Sequence, residues 1–466
     1  MIPLIPVCES VRSGIPLVYL ASPHPISRRG TARPVREPRS FHHRAPGTNF
    51  EPAALQIDMS ELTIAHPKAS AREESSLGVP ELKNRATALL PELRQGAEER
   101  ELRRQLPHEQ IRRIGSERLL TWRIPRTYGG PGASVRETVQ FVIDVAAVDS
   151  NIAQALRPSF LFVEGLLANG DETLRRRWLP RYLRGDVFGN AGWEIGGANG
   201  AISARIVRDG ERYRATGSKY YSTGSLYADW ISAAALDENG HEVRFMLPVH
   251  RRGLELIDDF DAMGQRLTAS GTTHLVDVEV LPEEIIPSPL QLEGQSRRSI
   301  VTPFAQLFLA AVEAGVARNA LADAVNFARH HARPIKHSSA SRSVDDPYVE
   351  FSVGEISAQA YAAEAVVLRA AERIDAAWVE GLTEESIAAA AIEVAQAQYV
   401  AAAAALKAAE LIFDVGGAST TARKHNLDRH RRNARTVANH NPRQWKAAAV
   451  GAWHLKGTPP PLSGLF

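Results

Sequence analysis

Cysteine is almost missing from this chain: Cys8 is the only one in 466 residues. A single thiol cannot form an internal disulfide, leaves a cysteine-based metal centre without partners, and fits a reducing, cytoplasmic location. Excess charge is missing too. Fifty-five basic against 53 acidic residues leave a formal charge of +2, too weak a field to steer the chain onto nucleic acid. No glycine fingerprint for a dinucleotide follows a strand, so a bound nicotinamide cofactor is not expected. The pairs His42-His43 and His330-His331 lack carboxylate or cysteine companions at ligand spacing, which argues against a metal site. The apolar run Ile15–Ala21 is too short to span a membrane and lacks the order of a secretion signal.

What is present reads as a globular protein, 44% hydrophobic and 23% charged, with more than one structural unit. Residues 1–50 stand apart: rich in Pro and Arg, with Glu9 and Glu37 as their only acids and no sustained period. We expect residues 1–75 to be unstructured. They are either an over-extended translation start, with Met59 as a plausible true beginning, or a transit-type leader.

Helical spacing follows over Glu81 to Leu102, with breaks at Pro91 and Gly96, and over Pro107 to Leu120, Ser134 to Asp149 and Glu172 to Leu183. Short alternating segments between Gly, Asp and Asn turns then predict strands around Tyr213–Gly217, Trp230–Ala234, Val243–Pro248 and Thr272–Val278. Alanine-rich stretches around 302–332, 348–379 and 385–413 predict long helices that bundle. The expected division is 76–185 helical, 186–290 β, and 291–466 helix bundle with tail.

Two motifs lie in the β region. Gly217-Ser218-Lys219-Tyr220-Tyr221-Ser222-Thr223-Gly224-Ser225 precedes Ala228-Asp229-Trp230, and Met263-Gly264-Gln265-Arg266-Leu267-Thr268-Ala269-Ser270-Gly271 precedes Val276–Val280. Both resemble signatures of the acyl-CoA dehydrogenase superfamily, whose order of helical domain, β-barrel or sandwich domain and four-helix bundle the chain repeats. An α+β fold of that kind is implied. In that fold the segment Asn433–Pro442 sits where a catalytic carboxylate would be, and here it offers His440 between Asn439 and Asn441. The run Gly416–Thr421, Asn426–His430, Asn433–Thr436 and His440–Pro442 is similar to the reduced-flavin-dependent monooxygenases typified by dibenzothiophene monooxygenase.

That resemblance implies reduced FMN (FMNH2) from a separate NAD(P)H:flavin reductase, with FAD as the lesser alternative. It implies oxygen transfer through a C4a-(hydro)peroxyflavin to the sulfur of a small apolar organosulfur compound, as in desulfurization, or to an amine nitrogen. An acyl-CoA dehydrogenase or oxidase with FAD is the other enzyme reading, and a non-catalytic helical assembly protein is a third. His440 would exchange a proton with the flavin adduct, Ser222 would face the N5 and C4a edge, and Asn190 would line the same cavity. Tyr220, Tyr221, Thr223, Trp193, Ser270 and Asn441 would contact the cofactor, and Arg333 would reach an FMN phosphate from a neighbouring subunit of a homotetramer. Ser159, Phe160 and Trp193 would form the substrate pocket, Ser159 standing in for a histidine of relatives. The family pattern carries a further histidine where Val437 lies, and Asn441 stands where it can carry Asp, which shortens the proton relay.

Without the resemblance, His440 reads as a helix-end residue and Ser222 as a turn serine. The run Arg429-His430-Arg431-Arg432 reads as a solvated helix start capped by Asp428, or as a phosphate or subunit contact.

Overall fold

A computed structural model describes residues 77–196, 201–287, 298–462, 464 and 466, all within one unit, Ala71–Phe466. The leader expected over residues 1–75, with Cys8 and Met59, lies outside the described residues.

Seven helices come first: α1 Val79–Arg94, α2 Ala97–Arg103, α3 His108–Ser116, α4 Val135–Ala146, α5 Ser150–Ala155, α6 Arg157–Asn169 and α7 Glu172–Leu183. Three of the starts are set by side chains that satisfy free backbone N–H groups: a capping box of Ser134 and Glu137 on α4, Asp149 on α5 and Asp171 on α7. The helix runs through Pro91, because a proline that close to the end removes only one internal bond, and the break comes at Gly96 with φ +70°.

Eight strands follow: β1 Phe188–Ala191, β2 Arg205–Asp209, β3 Arg212–Lys219, β4 Trp230–Leu236, β5 Glu242–Pro248, β6 Leu254–Leu256, β7 Thr273–Val280 and β8 Ile285–Ile286. They form one mixed sheet ordered β6-β7-β3-β2-β4-β5-β8, with β1 paired parallel along β4 from Phe188 opposite Trp230 to Ala191 opposite Ala233. One face buries Ile206, Ala215, Ile231, Phe245, Leu247 and Val278.

Five helices complete the chain: α8 Val301–His330, α9 Pro347–Val379, α10 Glu384–Leu411, α11 Asp428–Ala438 and α12 Arg443–Lys456. The long helices α8, α9 and α10 pack on one another, α4 packs on α8 and α9, and α11 closes on α10 and α8. Gly315 permits a close approach of α8 to α4, since a Cβ there would lie 2.2 Å from the Cβ of Ala146. Among the described residues one helical stretch, Glu384–Val415, is long and apolar enough to cross a membrane. Most of its apolar surface is spent against α8 and α9 as bundle core.

The basic run at the start of α11 is not a solvated face. Arg429 and His430 are buried against Asp323 of α8, His430 Nε2 lying 2.7 Å from its carboxylate, and Arg432 pairs with Glu101 of α2. Asp428 lies in the first turn rather than at the cap, which is Leu427, and it pairs with Arg432 at 2.8 Å.

Candidate active site

Two segments meet at the candidate site, β1 with the residues after it and the loop that follows β3, and the turn between α11 and α12 carries the remaining candidate group. Two loops of the sheet are tied together first. Ser222 N donates to Gly271 O at 3.3 Å and Gly224 N to Thr268 O at 2.9 Å, while Tyr220 N donates to Trp193 O at 2.8 Å. A hydroxyl chain runs between them, Thr223 Oγ1 to Ser270 Oγ at 3.0 Å and Ser270 Oγ to Thr268 Oγ1 at 2.8 Å. Below it Lys219, fully buried, donates to Glu194 at 2.5 Å, and Glu194 also accepts from Ser203 N and Ala204 N. Burial works to raise the Glu194 carboxyl, but the bonds from Lys219, Ser203 and Ala204 prevail and hold it down to about 2. This ion pair fixes the backbone next to Trp193.

The surface so built carries large rings and unsatisfied polar atoms. Trp193 is 44% and Tyr221 54% exposed, Tyr220 meets Tyr221 edge-on at 4.8 Å, and Tyr221 adopts φ +56°. Asn190, on β1, has a buried Oδ1 with no partner among the described residues. Open aromatic faces beside hydroxyls and an orphaned amide oxygen suit a flat, heteroatom-rimmed ring system such as an isoalloxazine.

Opposite chemistry comes from the turn after α11. His440 N donates to Val437 O at 3.0 Å, and Asn441, buried, donates from Nδ2 to Gln306 Oε1 of α8 at 2.5 Å. His440 is exposed, although protein atoms crowd around it. Withdrawal from bulk water, and next the positive charge of Arg157, press its protonation down to about 3. At neutral pH it is therefore an uncharged imidazole, a base and hydrogen-bond partner rather than a cationic acid.

The expectations for four residues need correction. Ser222 is wholly buried and its Oγ accepts from Thr273 Oγ1 at 2.9 Å, so its hydroxyl braces the sheet instead of facing a ligand. Ser159 is also buried: its Oγ donates to Phe188 O and accepts from Phe188 N, both at 3.0 Å, which ties α6 to β1. Phe160 is 2% exposed and packs against Phe141 and Phe308 as core, so neither it nor Ser159 lines a pocket. Ser270 is buried as well and acts through Thr223. Arg333 lies exposed just beyond α8, away from any ion pair among the described residues. The residue that sequence reasoning passed over is Arg157, whose signal was one charge inside the apolar segment Leu156–Phe162.

A separate open cavity of about 760 Å³ is bordered by Glu101, Arg266, Thr420, Thr421, Arg423 and Arg432. None of the candidate site residues lines it.

Residues 84–186 match the family model described as acyl-CoA dehydrogenase, N-terminal domain, and residues 307–445 the one described as acyl-CoA dehydrogenase, C-terminal domain. The chain is 30% identical over 353 residues to a dibenzothiophene monooxygenase of Mycolicibacterium goodii, covering 72% of this chain and 84% of that one. Its fold superposes on FMN-bound TdsC from Paenibacillus sp. A11-2 with a TM-score of 0.78 and 27% identity, over 83% of this chain and all of that one. It superposes on the methanesulfinate monooxygenase MsuC from Pseudomonas fluorescens with a TM-score of 0.75 and 28% identity, over 82% and 99% of the two chains.

Proposed function

The chain belongs to the acyl-CoA dehydrogenase family, in its flavin-dependent monooxygenase branch, and from there we propose that it oxygenates the sulfur of a small organosulfur compound. Its cofactor is FMN, taken up reduced from a separate NAD(P)H:flavin reductase. Reduced FMN, when bound, supplies two electrons and activates dioxygen at its C4a position.

The observation that carries this reading is the α11–α12 turn. It presents a neutral His440 beside Asn441, and no carboxylate that could remove an α-proton from an acyl thioester. The remaining roles belong to the chain's own groups. Trp193, Tyr220, Tyr221 and Thr223 flank the ring, Ser270 and Ser222 stiffen the loops behind them, and Asn190 meets a polar edge of the ring or its oxygen. Trp193 shields the reacting atoms from water. His440 holds or passes the proton that the departing oxygen needs. Arg333 takes an FMN phosphate from a neighbouring subunit, which makes the working form a homotetramer.

Turnover with a flavin reductase, NADH, FMN and a panel of sulfides, thiophenes, sulfones and sulfinates tests the proposal. Oxygenated product that depends on reductase and dioxygen is expected. Anaerobic bleaching of bound flavin by a short acyl-CoA, with no oxygenated product, would identify a dehydrogenase instead.

A further inference from the structure

Arg157 begins α6, and its guanidinium reaches across to the first turns of α8, where Nε and Nη2 both donate to the Ala305 carbonyl at 3.3 Å. One neutral oxygen, held by two long bonds, is all the structure gives it. Four other arginines withdrawn from water are paired with a carboxylate: Arg100 with Asp149, Arg123 with Glu164, Arg251 with Glu284 and Arg429 with Asp323, whereas Arg175, like Arg157, donates to backbone carbonyls. Arg157 has none among the described residues, and the loss of water around it lowers its affinity for its proton to about 10 with no acid nearby to offset that. Arg157 is half-buried, and a cation crowded by protein with no acid beside it gains from an anionic partner.

Its place says what that partner would be. Gln306, the residue after Ala305, accepts from Asn441, and Asn441 follows His440. Guanidinium, amide pair and imidazole therefore meet around one turn of α8. Asn441, buried, lies near enough for its amide to act on the His440 ring. The charge on Arg157 is near enough to act on the His440 ring.

We propose that Arg157 sets the specificity of this site by binding the charged oxygen of a small organic oxyanion, of the sulfinate class, with its sulfur lone pair left facing the flavin beside His440. The inference rests on the sulfur-oxygenation reading and replaces the apolar substrate expected from sequence. A guanidinium can grip two oxygens in one plane, which neutral thiophenes and sulfides do not offer. The step balances. Sulfur donates its lone pair to one atom of dioxygen and becomes a sulfonate, while the other atom leaves as water with the two protons and two electrons of reduced FMN.

Calorimetric titration of the FMN-loaded protein with methanesulfonate, an unreactive probe, tests this beside neutral dimethyl sulfone of nearly the same shape. Wild type should bind the anion more tightly than the sulfone. Arg157→Gln should weaken methanesulfonate about thirtyfold, as loss of a charge-assisted pair implies, and leave dimethyl sulfone and FMN within about twofold by the same reasoning. Arg157→Lys, which keeps the charge but not the fork, should lose several-fold and decides the matter should the Gln variant fail to fold. Equal binding of anion and sulfone by wild type, or unchanged methanesulfonate affinity in either variant, would overturn the proposal. A fall in FMN affinity alone would also overturn it, by assigning Arg157 to the cofactor phosphate. Failure of the broader reading looks different: methanesulfonate still binds through Arg157, but methanesulfinate yields no sulfonate under turnover.

Discussion

His440 works as a neutral group. Because its affinity for a proton is pressed down to about 3, the pH–rate profile for oxygenation should show no inflection near 6.5 from this residue. His440→Gln should lower product yield about a hundredfold while flavin oxidation continues, since the role proposed for the ring is to relay a proton as a neutral hydrogen-bond partner and not to take up oxygen. Stability follows the same sign. Between about pH 3 and 6.5 the unfolded chain binds a proton that the folded site refuses, so His440 costs stability as pH falls through that window. Melting curves of wild type and His440→Gln should diverge below pH 6.5, the variant losing less, and parallel curves would contradict the assignment. The position of this histidine was legible in the sequence, because it sits in a distinctive turn motif. The phase of α6 was not. Arg157 and Ser159 are two residues apart, so they point about 200° away from each other around a helix, and a segment apolar on every side gives no period to tell the wall of the site from the core.

Element by element, the turn bearing His440 is held by what lies before it. Asp323 of α8 binds Arg429 and His430 of α11 and, at 3.3 Å, Arg94 of α1. Burial favours its protonated form, but the charge of Arg429 and the bond from His430 outweigh that and keep the carboxyl ionised well below its usual range. Asp323→Asn leaves Arg429 buried without its acid and should cost about 3 to 5 kcal/mol, read from the denaturant midpoint. The contribution is present above the ordinary carboxylate range and is lost as pH drops below about 4, so wild type and variant should converge there. The sheet docks on the same helix, with Gln265 N donating to Asn433 Oδ1 at 2.7 Å. Gly264 allows it, for a Cβ there would lie 2.1 Å from the Arg432 carbonyl oxygen. The long alanine-rich helices and most strands were readable from period and propensity alone. Neither the burial of Arg429 and His430 nor the bracing role of Ser222 was, since both depend on partners such as Asp323 and Thr273 that lie far away in sequence.

For the whole molecule, the fold presents exposed aromatic rings beside the sheet and a carboxylate-free turn at the end of the bundle. The family and the cofactor were legible because short motifs carry them. The charge of the substrate was not, because it depends on one arginine whose missing partner only the folded chain reveals. The most direct test of the account is a single turnover with reduced FMN, methanesulfinate and isotopically labelled dioxygen, with mass spectrometry of the product. The account predicts a sulfonate carrying one labelled oxygen atom per flavin oxidised. Unlabelled product, or flavin oxidised with only hydrogen peroxide formed across the whole organosulfur panel, would contradict it.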